Sequence, residues 1–187
     1  MLRKISFSIA AVLLLAGCCG AVKVAPSTTP TPATKFVIPS DCTKTGLNEA
    51  LSKIVSGSKY IATQWQPSPG SELADFLNNG GIACSYGIQS AEIGVTAKWV
   101  DDSNGLFEKR AVLWQKEGYS KVDLAGVDED EAYFYIKPQS PSNEFHLWAL
   151  NVKYHGAWLQ LNCTAFAQSL EAGLRPARHL SSFLPRP

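Results

Sequence analysis

Two alternating apolar stretches on either side of His155-Gly156 constrain the fold more than any other part of the sequence. A two-residue turn with glycine in second place is typical of a β-hairpin, and it pairs residues 145–154 with residues 157–166. In that register six apolar side chains fall on one face: Trp148, Leu150, Val152, Leu159, Leu161 and Cys163. Because the turn and the apolar pattern select the same register, we predict an antiparallel hairpin with one buried face.

Upstream of this hairpin the apolar period changes from helical to extended. Helical spacing predicts helices over 43–55, 71–79 and 106–117, and alternation predicts strands over 81–89, 92–100 and 131–137. A short helix is predicted over 168–174 and a further helical turn over 179–184. This order of elements predicts an α+β domain, an antiparallel sheet with helices packed mainly on one face.

The N-terminus reads as an export signal. A short basic start precedes an apolar run over residues 5–16, which is shorter than the roughly 20 residues that a spanning helix needs. The run ends in Leu15-Ala16-Gly17-Cys18, which resembles the bacterial lipobox. We therefore expect a signal peptide over 1–17, lipidation of Cys18, and a protein anchored in the cell membrane and facing outside. The alternative is an ordinary signal peptide cleaved a few residues later, which would remove Cys18.

A tether and one domain follow the leader. Residues 18–35 are rich in proline and threonine and predict an extended spacer, and residues 36–187 predict a single globular α+β domain. The chain has 17 basic and 16 acidic side chains, with two of the basic ones in the leader, so the remainder is near neutral. That balance argues against a nucleic-acid partner. The expected partners are the membrane, through the anchor, and an envelope protein or ligand.

Export predicts a disulfide among the three cysteines of the domain. The hairpin register turns Cys163 inward beside Trp148, where a free thiol behaves as a small apolar group. Cys42 precedes the first helix and Cys84 lies in the first strong strand. These positions favour Cys42–Cys84, although the other pairings and a fully reduced domain remain alternatives.

Three short segments resemble a family of uncharacterised actinobacterial lipoproteins, which are described only as a domain of unknown function. They are Asp41-Cys42, Ile82-Ala-Cys84-Ser-Tyr86 and the acidic stretch over 125–133. The resemblance implies a pairing of the two equivalent cysteines and a fold similar to the Mog1/PsbP-like sheet-and-helix domains. It implies no established enzyme activity.

Catalytic and metal-binding motifs are fragmentary in this sequence. Ser56-Gly-Ser-Lys59 and Lys44-Thr-Gly46 match pieces of the penicillin-binding-protein signature, but in the reverse order. The histidines, His146, His155 and His179, lie on separate elements without metal-ligand spacing, and the acidic run over 128–131 is typical of a solvated loop. We therefore predict no catalytic residue, no metal and no cofactor, and we expect that the protein is not an enzyme.

One set of aromatic side chains suggests a binding surface. By strand alternation Tyr133, Tyr135 and Trp158 point away from the buried face, where exposed aromatics can form a recognition surface. The alternative is that a helix or loop covers them. The leading hypothesis is a non-catalytic domain that binds a partner or an envelope component. A small hydrophobic-ligand carrier and an envelope hydrolase with an unrecognised site are the alternatives.

Overall fold

The computed structural model describes residues 36–91, 93–124, 127, 129–136 and 147–164, all within the larger of two compact units, Ala33–Pro187. The predicted leader, Cys18, the tether and the C-terminal helices lie outside the described residues. The helices are α1 (Leu47–Ile54), α2 (Glu72–Asn78) and α3 (Leu106–Lys116). The strands are β1 (Lys59–Ile61), β2 (Ile82–Ile88), β3 (Ile93–Asp101), β4 (Ser120–Val122), β5 (Glu131–Ile136), β6 (Leu147–Tyr154) and β7 (Ala157–Thr164). Within this part of the chain, no helix is long and apolar enough to cross a membrane.

The strands form one antiparallel sheet in the order β1-β2-β3-β7-β6-β5-β4. The predicted hairpin is confirmed as β6 and β7, with Trp148 opposite Cys163 and Val152 opposite Leu159. His155 and Gly156 form its turn with φ of 45° and 79°, the two positive values that a type I′ turn requires. The fold is therefore α+β, as predicted, with two short strands at the edges of the sheet.

The sheet is covered on both faces. On one, the α1 face, Leu47 and Leu51 pack on the apolar side chains of the hairpin. On the other, the α2–α3 face, aromatic residues of the helices pack on those of the sheet: Phe76, Phe107, Trp114, Tyr133 and Trp158. The Phe76 ring centroid lies 4.2 Å from that of Trp158. Two of the three described helices thus share one face, in agreement with the expectation of helices mainly on one side.

Side-chain oxygens accept hydrogen bonds from backbone N–H groups in the first turns of α2 and α3. Ser71 Oγ accepts the Ala74 N–H of α2 at 3.2 Å, and Asp102 Oδ1 accepts the Phe107 N–H of α3 at 2.9 Å. After α2 the chain packs closely against the sheet, because a Cβ at Gly81 would lie 2.4 Å from the Trp99 carbonyl oxygen. Three residues past the end of α2, the chain therefore has room only for glycine.

The predicted disulfide joins Cys42 to Cys84, with 5.4 Å between the Cα atoms. It fastens a 3₁₀ turn, Cys42–Lys44, to β2. The Tyr86 hydroxyl donates to the Cys42 carbonyl oxygen at 2.6 Å, and burial raises the pKa of Tyr86 to about 12. Cys163 is a buried free thiol whose pKa is raised by burial. The start of the domain is thus held to the sheet by a covalent bond and a hydrogen bond.

Candidate binding groove

Two of the three predicted surface aromatics are covered. Tyr133 and Trp158 do point to the face opposite the apolar hairpin residues, as alternation predicted, but they are only 3% and 0% exposed. The Phe107 ring centroid of α3 lies 6.0 Å from that of Tyr133 and 6.2 Å from that of Trp158. These two residues therefore form no exposed binding surface, and the alternative that helices cover them is confirmed, because α2 and α3 pack over them.

The third aromatic, Tyr135, lines a groove on the same face. Its ring is half-buried and stacks on Tyr119, with 4.9 Å between the centroids and 25° between the planes. The groove has a volume of about 550 Å³. This volume lies within the range of small-molecule sites in proteins, roughly 300–1,000 Å³.

The floor of the groove is a row of cross-strand neighbours, which we call the groove row. In order across the sheet it contains Ile61, Ser85, Thr96, Asn162, Ala149 and Tyr135. Ile88, Ile93 and Leu147 add apolar surface beyond the row. The groove is therefore largely apolar, with two hydroxyl groups and one amide at its centre, the composition expected of a ligand site.

The next row toward the helices is polar and buried. Lys98, Gln160 and Asn151 are cross-strand neighbours that are 7%, 0% and 0% exposed. The Gln160 amide donates to Glu72 Oε2 of α2 at 2.6 Å and to Asn151 Oδ1 at 2.8 Å. We call these four residues, Lys98, Gln160, Asn151 and Glu72, the polar layer. The polar layer lies between the aromatic core and the groove row, and none of its four residues lines the groove.

Hydrogen bonds connect the groove row to the polar layer. The Asn162 amide donates to Gln160 Oε1 at 3.2 Å, and Gln160 in turn donates to Glu72. Burial raises the pKa of Tyr119, and the negative charge of Glu72 raises it further, so the Tyr119 phenol stays neutral. A hydrogen bond thus links the floor of the groove to the polar layer beside it.

Two donors of the polar layer have no acceptor among the described residues. The Asn151 amide nitrogen is buried without a hydrogen-bond partner. The Lys98 ammonium forms no ion pair with a described carboxylate, and it lies 5.7 Å from the centroid of the Phe76 ring. Burial lowers the pKa of Lys98 to about 8, a shift that the charge of Glu72 partly opposes.

The acidic residues and histidines weighed as metal ligands or catalytic groups either lie away from the groove or already form other contacts. Glu131 pairs with Lys121 at 2.7 Å, Glu129 accepts the Leu124 N–H at 2.6 Å, and Asp128 lies outside the described residues. His155 is in the β6–β7 turn, at the opposite end of those strands from the groove, while His146 and His179 are outside the described part. Within the described ranges no group of three or more potential ligands could hold a metal ion.

Sequence reasoning found Tyr135 but missed the polar layer. The alternation of β3 placed Thr96 and Lys98 opposite its apolar set, which is also the pattern of a solvent-facing strand side. The strands β6 and β7 show the same pattern, because Asn151 and Gln160 lie opposite their apolar residues. This repetition of polar residues on three strands was the sequence signal for the polar layer. A helix above a polar strand face is a tertiary feature that alternation alone does not reveal.

Comparison of the chain with protein-family models, with curated proteins and with solved structures found no match.

Proposed function

We propose that this chain is a lipid-anchored, non-catalytic binding protein of the cell envelope, and that its groove holds a small, largely apolar envelope component. The observation that carries the proposal is the groove itself, about 550 Å³ in volume, with apolar walls and a few polar groups on its floor. The stacked pair Tyr119 and Tyr135 adds a flat aromatic wall at one end. Aromatic groups bury much apolar area at low entropic cost, so this wall favours ligand binding.

The other two functions considered have less support. A protein-binding surface on the outer sheet face loses two of its three aromatic residues, Tyr133 and Trp158, beneath the helices. A hydrolase needs a base within hydrogen-bond reach of a nucleophile, but His155 lies at the far end of the strands from the groove. The hydroxyl groups of Ser85 and Thr96 are therefore better suited to contacting a ligand than to attacking one.

The location is proposed from the leader. The lipobox-like segment before Cys18 supports export and acylation, and the disulfide Cys42–Cys84 fits an oxidising compartment. Cys18→Ala should release the protein from the membrane fraction or leave the leader uncleaved, as read by fractionation and mass spectrometry. Unchanged membrane retention of a processed Cys18→Ala protein would refute the anchor.

Ligand binding can be tested with a neutral apolar fluorophore, N-phenyl-1-naphthylamine, added to the purified protein. We expect saturable binding, because the groove offers apolar surface and an aromatic wall. Thr96→Trp places a large ring on the central strand of the groove floor and should remove most of the binding. Ser103→Trp, in the exposed turn before α3, adds the same ring at the opposite end of β3 and should leave binding unchanged.

Thermal unfolding of both variants shows whether they remain folded. Equal binding by the original protein and a folded Thr96→Trp variant would place the fluorophore elsewhere. The absence of saturable binding to the original protein would count against the groove as a site for apolar ligands.

A further inference from the structure

We infer that the ligand is an uncharged lipid in which a carbonyl-containing linkage lies between two apolar parts, and that it lies across the strands along the groove row. This inference rests on the proposed function, because it assumes that the groove binds an apolar ligand. It adds the chemical class of that ligand and assigns the Ser85 and Thr96 hydroxyl groups as the donors to its carbonyl group.

The groove has no charge along the part of its lining that the structure describes. None of the described lining residues has an acidic or basic side chain. Burial raises the pKa values of Tyr119 and Cys163, which also line the groove, so both groups stay neutral near pH 7. A charged group that enters such a site loses its hydration and finds no opposite charge in return. The lining therefore complements a neutral ligand.

The polar groups occupy the middle of the groove row. The row has Ile61 at its β1 end, then Ser85, Thr96 and Asn162, and then Ala149 and Tyr135 toward β5. Neighbouring strands lie roughly 4.8 Å apart, so the row extends about 24 Å and its polar part about 10 Å. A ligand with its polar group at one end would place that group against the Ile61 side chain or the Tyr135 ring. A ligand that is polar in the middle matches the row along its whole length.

The hydroxyl groups of the row are available for a ligand. Ser85 and Thr96 are cross-strand neighbours, both are half-buried, and both line the groove. Neither hydroxyl forms a side-chain hydrogen bond with another described residue. A carbonyl oxygen has two lone pairs, which match two neighbouring hydroxyl donors. The oxygen of an ester, amide or ketone above β2 and β3 can therefore accept from both.

Asn162 limits the polar part on the other side. Its amide donates to Gln160 Oε1 at 3.2 Å, which orients the side chain and uses one of its two N–H groups. The next residue of the row, Ala149, has no polar side-chain atom. The groove thus offers hydrogen bonds over three strands and apolar contacts on both sides of them.

The test compares three ligands of equal chain length for displacement of N-phenyl-1-naphthylamine from the purified protein at pH 7. They are undecan-6-one, undecan-2-one and undecanoate. The two ketones differ only in the position of the carbonyl group, so both lose similar hydration on binding. We expect undecan-6-one to bind about 3–10-fold more tightly than undecan-2-one, the net effect of a neutral hydrogen bond. Undecanoate should bind more weakly than undecan-6-one, because no lining group offsets its charge.

The double variant Ser85→Ala/Thr96→Val removes both hydroxyl groups and nearly keeps the shape of the floor, so it should lose most of the preference for undecan-6-one. The matched control is Thr63→Val/Ser103→Ala, the same two changes at exposed positions outside the groove, which should keep the preference. Thermal unfolding shows whether both variants are folded. The comparison of the ketones on the original protein tests the inference without any variant.

The outcomes separate this inference from the proposed function. Equal binding of the two ketones would mean that the hydroxyl groups bind only water, and it would overturn the polar middle while leaving the groove intact as an apolar site. A preference that survives in folded Ser85→Ala/Thr96→Val would also overturn the assignment, and tighter binding of undecanoate would refute the uncharged ligand. Failure of every ligand to displace the fluorophore would instead contradict the groove itself.

Discussion

Removing the Cys42–Cys84 disulfide should lower the free energy of unfolding by about 4 kcal/mol. The two cysteines are 42 residues apart, and in the chain-entropy description a closed loop of that length restricts the unfolded chain by this amount at 25 °C. Domains of this size are stable by about 5–15 kcal/mol, so the loss is a large share of the total. It corresponds to a decrease of about 8–16 °C in the melting temperature.

The perturbation is the double variant Cys42→Ala/Cys84→Ala, measured by urea denaturation and by thermal unfolding of the purified protein. Cys163→Ala is the matched control, since it also removes one buried sulfur from the core but opens no loop. That control should cost about 1 kcal/mol, the typical effect of a small core truncation. After chemical reduction, the original protein should have nearly the same free energy of unfolding as the double variant.

A double variant that loses no more stability than Cys163→Ala would contradict the expected effect of the disulfide. In that case the hydrogen bond from Tyr86 to the Cys42 carbonyl and the packing of α1 would hold the N-terminal segment without covalent help. A stable, fully reduced protein would also remove one of the two supports for an oxidising compartment.

Two further predictions concern the α2–α3 face. Burial lowers the pKa of Lys98 to about 8 in the folded chain, whereas the unfolded chain has the ordinary value of 10.5. Above pH 8 the unfolded chain therefore binds more protons at this lysine than the folded chain does. The stability of the original protein relative to Lys98→Met should therefore rise by about 2 kcal/mol from pH 8 to 10 in urea titrations, and a constant difference would contradict this. Phe107→Ala removes a fully buried ring and should cost about 3–5 kcal/mol, whereas Val112→Ala, at 56% exposure on the same helix, should change stability by less than about 0.5 kcal/mol. Similar losses in calorimetry would refute the packing of α3.

Much of the fold could be predicted because its strongest signals are local. The hairpin turn at His155-Gly156 selects its own register, and that register turned Cys163 inward and favoured the disulfide that the structure contains. The predicted helix over 43–55 is instead a 3₁₀ turn followed by α1, which begins at Leu47. A glycine with φ of 74° at position 46 separates the two, a conformation that helical apolar spacing does not report.

Other features depend on how elements meet. The apolar spacing over 106–117 places Leu113 on the same side as Phe107 and Trp114. In the structure Leu113 is 41% exposed, because Phe107, Ala111 and Trp114 form the stripe that contacts the sheet. The strands β1 and β4 contain three residues each, too few for alternation to be recognised. The groove could not be predicted either, since it requires knowing which part of the α2–α3 face the helices leave uncovered.

The two short strands at the sheet edges have a consequence for the tendency of the protein to associate with copies of itself. An unpaired edge invites another chain to add a strand, and natural sheets reduce that risk with short edges and with lysine. Here β1 carries exposed Lys59 and β4 carries exposed Lys121, while the strands of seven to nine residues, β2, β3, β6 and β7, have a partner on each side. Many copies could therefore crowd together without assembling into fibrils.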